Sequence, residues 1–187
     1  MGQRTATLVC YIDKEGKKHN HVYYHQWGIG RLQIFAIMGN FFLQLGEDKF
    51  DLSGSQRMSL EDESLRTYNK IDVKDLDFTN INDVKKVYDC MDNNNGGIVV
   101  VWDDKNNKRY VGYILGPEEV YKTSEKPYTR FVSFRTWRNR DCANRFLDKN
   151  FVQMYQGFLK YFGFKELTGH VDTTRNRNVR CTEESRA

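Results

Sequence analysis

Proline is nearly absent, with two among 187 residues, and the fourteen glycines follow no period, which excludes collagen-like and proline-rich architectures. The four cysteines, Cys10, Cys90, Cys142 and Cys181, form no C-x-x-C pair. A zinc ribbon or a dense disulfide scaffold is therefore excluded, and they read as reduced thiols in a cytoplasmic setting. No apolar run reaches the roughly 20 residues that cross a bilayer, so no membrane association is expected. The opening residues lack the apolar core of a signal peptide, and Ala6 stands where a myristoylation motif takes Ser or Thr. There is no P-loop, G-x-S-x-G elbow or HExxH helix, and no catalytic Cys–His spacing. These absences weaken the case for an enzyme without deciding it.

Aromatic residues are plentiful: 3 Trp, 11 Tyr and 12 Phe are far more than a disordered chain carries, so a packed core is expected. The length suits one domain, read as residues 1–167 followed by a polar, Arg-bearing tail over 168–187. A net charge of +4 conceals an uneven distribution. Residues 1–45 carry +3, residues 46–127 carry −5 and residues 128–187 carry +6. Such blocks either interleave and cancel on folding or give the molecule an acidic and a basic side.

Alternation over 5–12, a turn at Asp13–Lys17 and a β-rich run over 19–25 predict a hairpin. Residues 31–45 are apolar almost all round and predict a buried helix. Residues 46–79, acidic and polar, are the least structured stretch, with a short helix near 60–68. Asn80 precedes Ile81, Val84, Val87, Tyr88 and Met91 at helical spacing, and Asn93–Gly97 stops that helix. A strand pair over 98–102 and 109–115, apolar on both faces, belongs in the middle of a sheet. A strand over 128–134 and helices over 137–148 and 150–162, the second capped by Asn150 and ended by Gly163, complete the pattern. The fold class expected is α+β, a single domain with an antiparallel sheet of about five strands and packed helices.

Three groups of residues bear on function. If the first hairpin turns between Glu15 and Gly16, Arg4 lies across from Trp27 and Ala6 across from His25. One end of the hairpin then gathers Arg4, His25, Gln26, Trp27, Gly28, Gly30 and Arg31 just before a helix. Arginines, an aromatic face and helix-terminal N–H groups suit an anionic, nucleotide-like ligand, and the bland alternative is a tight strand-to-helix turn. Arg130, Arg135, Arg138, Arg140 and Arg145 are interleaved with Phe131, Phe134 and Trp137, a pattern that suits a nucleic-acid or partner surface, or simply buried rings with solvated arginines. His19, His21 and His25 share one strand face, but His25 is about 13 Å beyond His21 and no third ligand is marked, so no metal site is assigned. Asp103-Asp104 reads as turn chemistry and Glu61, Asp62 and Glu63 as a solvated face.

Gly2-Gln3-Arg4-Thr5, followed by a strand and then Tyr24-His25-Gln26-Trp27-Gly28-Ile29-Gly30-Arg31, resembles a loose group of small phage and prophage proteins. These open with a G-x-R-[ST] element and follow a strand with an aromatic-His/Gln-Trp-x-G turn into a helix. Related chains often hold Asp between the Trp and the Gly, whereas Trp27 here meets Gly28 directly. The resemblance covers roughly the first 35 residues and implies a mobile-element setting, with interference in a host process as a role, and no particular reaction.

The reading is therefore a small non-enzymatic protein that binds an anionic target: a nucleotide-like ligand, a nucleic acid or a host protein. No cofactor is expected. The alternatives are a nucleotide- or phosphoester-processing enzyme with His25 as acid or base and Arg4 and Arg31 on the phosphate, or a structural assembly protein.

Overall fold

A computed structural model describes residues 4–26, 58–59, 72–91, 94–140 and 148–170, with 23–26, 58–59 and 170 described by backbone alone. Strands β1 (Arg4–Ile12) and β2 (Lys18–Gln26) form the expected hairpin. A two-residue strand β3 (Met58–Ser59) adds to the outer edge of β2. Helix α1 (Ile81–Asp89) leads to β4 (Gly97–Asp103) and β5 (Lys108–Ile114). The short helix α2 (Pro117–Val120), strand β6 (Arg130–Val132) and helix α3 (Phe134–Arg138) follow. Helix α4 (Lys149–Tyr161) and strands β7 (Lys165–Leu167) and β8 (Gly169–His170) come last.

The fold is α+β, as expected, but its sheet is mixed rather than antiparallel. The strand order is β3-β2-β1-β4-β5-β6-β8, with β7 also on β5. The pairs β1/β4 and β5/β7 are parallel. A hairpin can join only antiparallel neighbours, whereas parallel neighbours need a crossover, and the sequence between β2 and β4 supplies one that includes α1. The strand pattern alone could not reveal this, because a fully buried apolar strand looks the same in either direction. As the apolar run predicts, β4 is central and every one of its residues is buried.

Alternate residues of β4 divide between two cores. Val99 and Val101 join Ala6, Leu8 and Cys10 beneath Ile81, Val84, Val87 and Tyr88 of α1. Ile98, Val100 and Trp102 face the other way, toward Phe134 and Trp137 of α3 and Phe151, Tyr155 and Phe158 of α4. Helices thus cover both faces of one sheet.

Local chemistry also shifts several boundaries. In the first hairpin Asp13 N–H donates to the Lys17 carbonyl at 3.0 Å, and Gly16 adopts φ +90°. This is a three-residue loop centred on Glu15, whose last residue is left-handed, rather than a two-residue turn. The register moves by one: Arg4 pairs with Gln26, Thr5 with His25 and Ala6 with Tyr24. Asn80 caps α1 as expected, its side chain accepting from Asn82 N–H at 2.9 Å. The strand expected over 128–134 contracts to β6, and α3 begins from its cap Ser133, four residues before the helix expected over 137–148, of which 141–147 lie outside the described residues. Helix α4 is capped by Asp148, which accepts from Phe151 N–H at 2.9 Å, and not by Asn150. Its end is as expected: Gly163 is left-handed at φ +70°, and Phe164 N–H returns to the Leu159 carbonyl at 2.9 Å. Gly169 and His170, assigned to the tail from composition, pair with β6. The helices expected over 31–45 and 60–68, and the tail beyond 170, lie outside the described residues.

Candidate functional site

Three places collect polar chemistry. At the sheet end where β1 starts, the backbone of Arg4 is clasped by the loop before β4: its N–H donates to Asn94 Oδ1 at 2.7 Å and its carbonyl accepts from Asn95 N–H at 2.9 Å. The revised register places His25 opposite Thr5 at this same end. Trp27, Gly28, Gly30 and Arg31 lie outside the described residues. The structure therefore does not place Arg4 across from Trp27, because the hairpin register is one residue different.

Sequence reasoning missed the group beside Arg4. The Glu119 carboxylate is buried, with Oε2 accepting from Gly116 N–H at 2.8 Å and Gly96 N–H at 2.9 Å. Its Oε1 accepts from Asn95 Nδ2 at 3.1 Å. Burial pushes the carboxyl up from its ordinary range even against these hydrogen bonds. Asn95 Oδ1 is itself buried with no hydrogen-bond partner among the described residues. A Cβ on Gly96 would lie 1.7 Å from the Ile114 carbonyl oxygen, so the strand ends meet here through glycine alone. The signal in the sequence was the pairing of Asn94-Asn95-Gly96-Gly97 with Gly116-Pro117-Glu118-Glu119, two turn-rich stretches flanking one strand pair. This carboxylate ties two loops together, and its hydrogen bonds are all internal.

At the opposite end, Asp13 Oδ2 meets His19 Nε2 at 3.0 Å, and that contact holds the Asp13 carboxyl below its ordinary range. The His19 ring stacks on Tyr11, whose hydroxyl donates to Asp104 at 3.0 Å. Asp104 also accepts from Trp102 Nε1 at 2.6 Å, and Asp103 accepts from Asn106 N–H at 2.9 Å. Asp103 thus does the turn chemistry expected of it, whereas Asp104 binds two aromatic side chains. Among the described residues no three His, Cys, Asp or Glu side chains converge as a metal site would require.

The third place is the basic segment. Phe131, Phe134 and Trp137 are buried, while Arg135 is exposed and Arg130, Arg138 and Arg140 are half-buried. The rings are core, not stacking platforms. Arg130 donates to Glu125 at 2.6 Å, and Arg140 lies 3.7 Å from the same carboxylate. Arg145 lies outside the described residues. Residues 121–140 hold six cations and one carboxylate. Helices α3 and α4 carry Arg135, Arg138, Lys149 and Lys160 with no acid inside either helix. On the other face, α1 and the chain leading to it carry Asp72, Asp75, Asp77, Asp83 and Asp89 against Lys74, Lys85 and Lys86.

Comparison with known protein families, with characterised proteins and with solved structures finds no match for this chain.

Proposed function

We propose that the protein is a non-enzymatic binding protein for an anionic partner, engaged by the α3/α4 side of the sheet. What supports the reading is the uneven charge of residues 121–140, six cations against the single carboxylate Glu125, on a segment that buries Phe131, Val132, Phe134 and Trp137. Burial of Phe131, Phe134 and Trp137 leaves Arg135 and Arg138, one turn apart, on the outward side of α3. Surfaces of one sign raise the local concentration of oppositely charged partners, and arginine adds bidentate contacts to phosphate or carboxylate. The resemblance to phage and prophage proteins supplies the setting for this role, interference with a host process.

The test is binding of fluorescein-labelled heparin, a polyanion without bases, followed by anisotropy across a salt series. Affinity is expected to fall steeply as salt rises. The double substitution Arg135→Glu with Arg138→Glu should lower affinity about tenfold or more and flatten that slope. A salt-independent affinity, or one that the double variant leaves unchanged, counts against the reading.

A further inference from the structure

Helix α4 turns Phe151, Val152, Tyr155, Phe158 and Leu159 into the core. Its outward residues fall into two rows. Lys149, Gln153, Gln156 and Lys160 recur at helical spacing, all exposed, with a cation at each end and amides between. The ends are eleven positions apart, about 16 Å along the axis. The neighbouring row is Asn150, Met154, Gly157 and Tyr161, also exposed throughout. A solvated helix face ordinarily mixes charges of both signs at i,i+4. This one carries no acid, and it displays Tyr161 at 84% exposure and Met154 at 46%.

Gly157 sharpens the point. Glycine is the poorest helix former after proline, and it sits two residues past the middle of α4. A Cβ built there meets nothing within 4 Å among the described residues, so no contact with them requires its absence. Where a glycine has no internal reason, close approach of something external to the backbone supplies one. At helical spacing its neighbours on this row are the exposed Met154 and Tyr161. The Tyr161 ring stands nearly perpendicular to the Phe162 ring, with centroids 4.9 Å apart, and is otherwise open to solvent. Helix α3 is adjacent, its Phe134 ring 5.1 Å from Tyr155, which adds Arg135 and Arg138 to the same side of the sheet.

We propose that the outer face of α4 is a binding site for single-stranded nucleic acid, with a base stacked on Tyr161 over Gly157 and the phosphates along Lys149 and Lys160. Single strands are gripped by cations that follow the backbone and by aromatic faces on which unpaired bases stack. A duplex keeps its bases stacked inside and offers Tyr161 nothing comparable. The inference rests on the anionic-partner reading and names its partner.

The test compares a labelled 20-nucleotide oligo-dT, a 20-base-pair duplex and labelled heparin against the full chain. The oligo-dT should bind more tightly than the duplex. Tyr161→Ala should weaken oligo-dT about tenfold and leave heparin unchanged, while Tyr161→Phe retains binding. Gly157→Ala should raise the unfolding temperature by about 2–4 °C, as an exposed helical glycine predicts, and yet weaken oligo-dT. A stabilised but weaker-binding variant cannot be explained by misfolding. If Tyr161→Ala and Gly157→Ala both leave oligo-dT binding unchanged, the inference is overturned. It is also overturned if only heparin binds, although the basic-surface reading survives that outcome. If neither polyanion binds, both fall. Concentration-dependent self-association abolished by Tyr161→Ala would assign the face to a second copy of the chain instead.

Discussion

Glu119 shows how one side chain can hold two loops together and what that costs. As a carboxylate it accepts from two backbone N–H groups and the Asn95 amide, so replacement by alanine leaves three buried donors without an acceptor. Glu119→Ala should cost about 3 kcal/mol or more. Glu119→Gln should cost much less. Its carbonyl oxygen can take the two N–H bonds, and Asn95 can turn its Oδ1, without a partner among the described residues, toward the new amide. The same pair sets a pH dependence. Burial raises the carboxyl in the folded state, so between its ordinary and raised values the native protein binds more protons than the unfolded chain. The contribution of Glu119 to stability is complete below its ordinary range and declines as pH rises through the raised value. Urea midpoints of wild type and Glu119→Gln should therefore diverge with pH in that window. A constant difference would argue against the assignment.

At the scale of the element, caps explain both what could be read in the sequence and what could not. The α1 helix was legible because Asn80 and the apolar spacing after it agree, and the end of α4 was legible because Gly163 allows the left-handed turn. The start of α4 was misplaced by two residues because Asp148 and Asn150 are both good caps, and only packing of Phe151 into the core selects between them. Asp148→Ala should cost about 1 kcal/mol in chemical denaturation, against little for Asn150→Ala. The reverse order would reinstate the sequence-based cap. The hairpin register turned on a similar ambiguity, since Glu15-Gly16 serves a two-residue or a three-residue loop equally well from composition. That one-residue shift removes Trp27 from opposite Arg4, so the candidate ligand site was less legible than the hairpin that carries it. Spacing had left open whether Phe131 and Trp137 lie in the core or on the surface, and both are buried.

For the whole molecule, the governing feature is the pairing of β1 with β4 at the centre of the sheet, each flanked on both sides. Val99, Val100 and Val101 are buried within a ladder bonded on either side, whereas β8 closes one end of the strand order with two residues. Native-state hydrogen exchange should accordingly be slowest at β4 and β1 and fast at β8. Equal protection across the sheet would contradict this arrangement. The two hairpins expected from the sequence were real, yet their parallel junction depends on long-range burial that no local pattern encodes.

That junction also sets a waiting time during synthesis. Thr5 and its hydrogen-bond partner Gly96 are 91 positions apart. At roughly 5–20 residues per second, the ribosome needs about 5–20 seconds to deliver the second after the first. Throughout that interval the first hairpin exists as a two-stranded ribbon, too small to be stable alone, with its β1 edge open to any other strand. In a polysome making many copies at once, the nearest open edge belongs to a neighbouring nascent chain, so expression yield should depend on chaperone supply as strongly as on the stability of the finished fold.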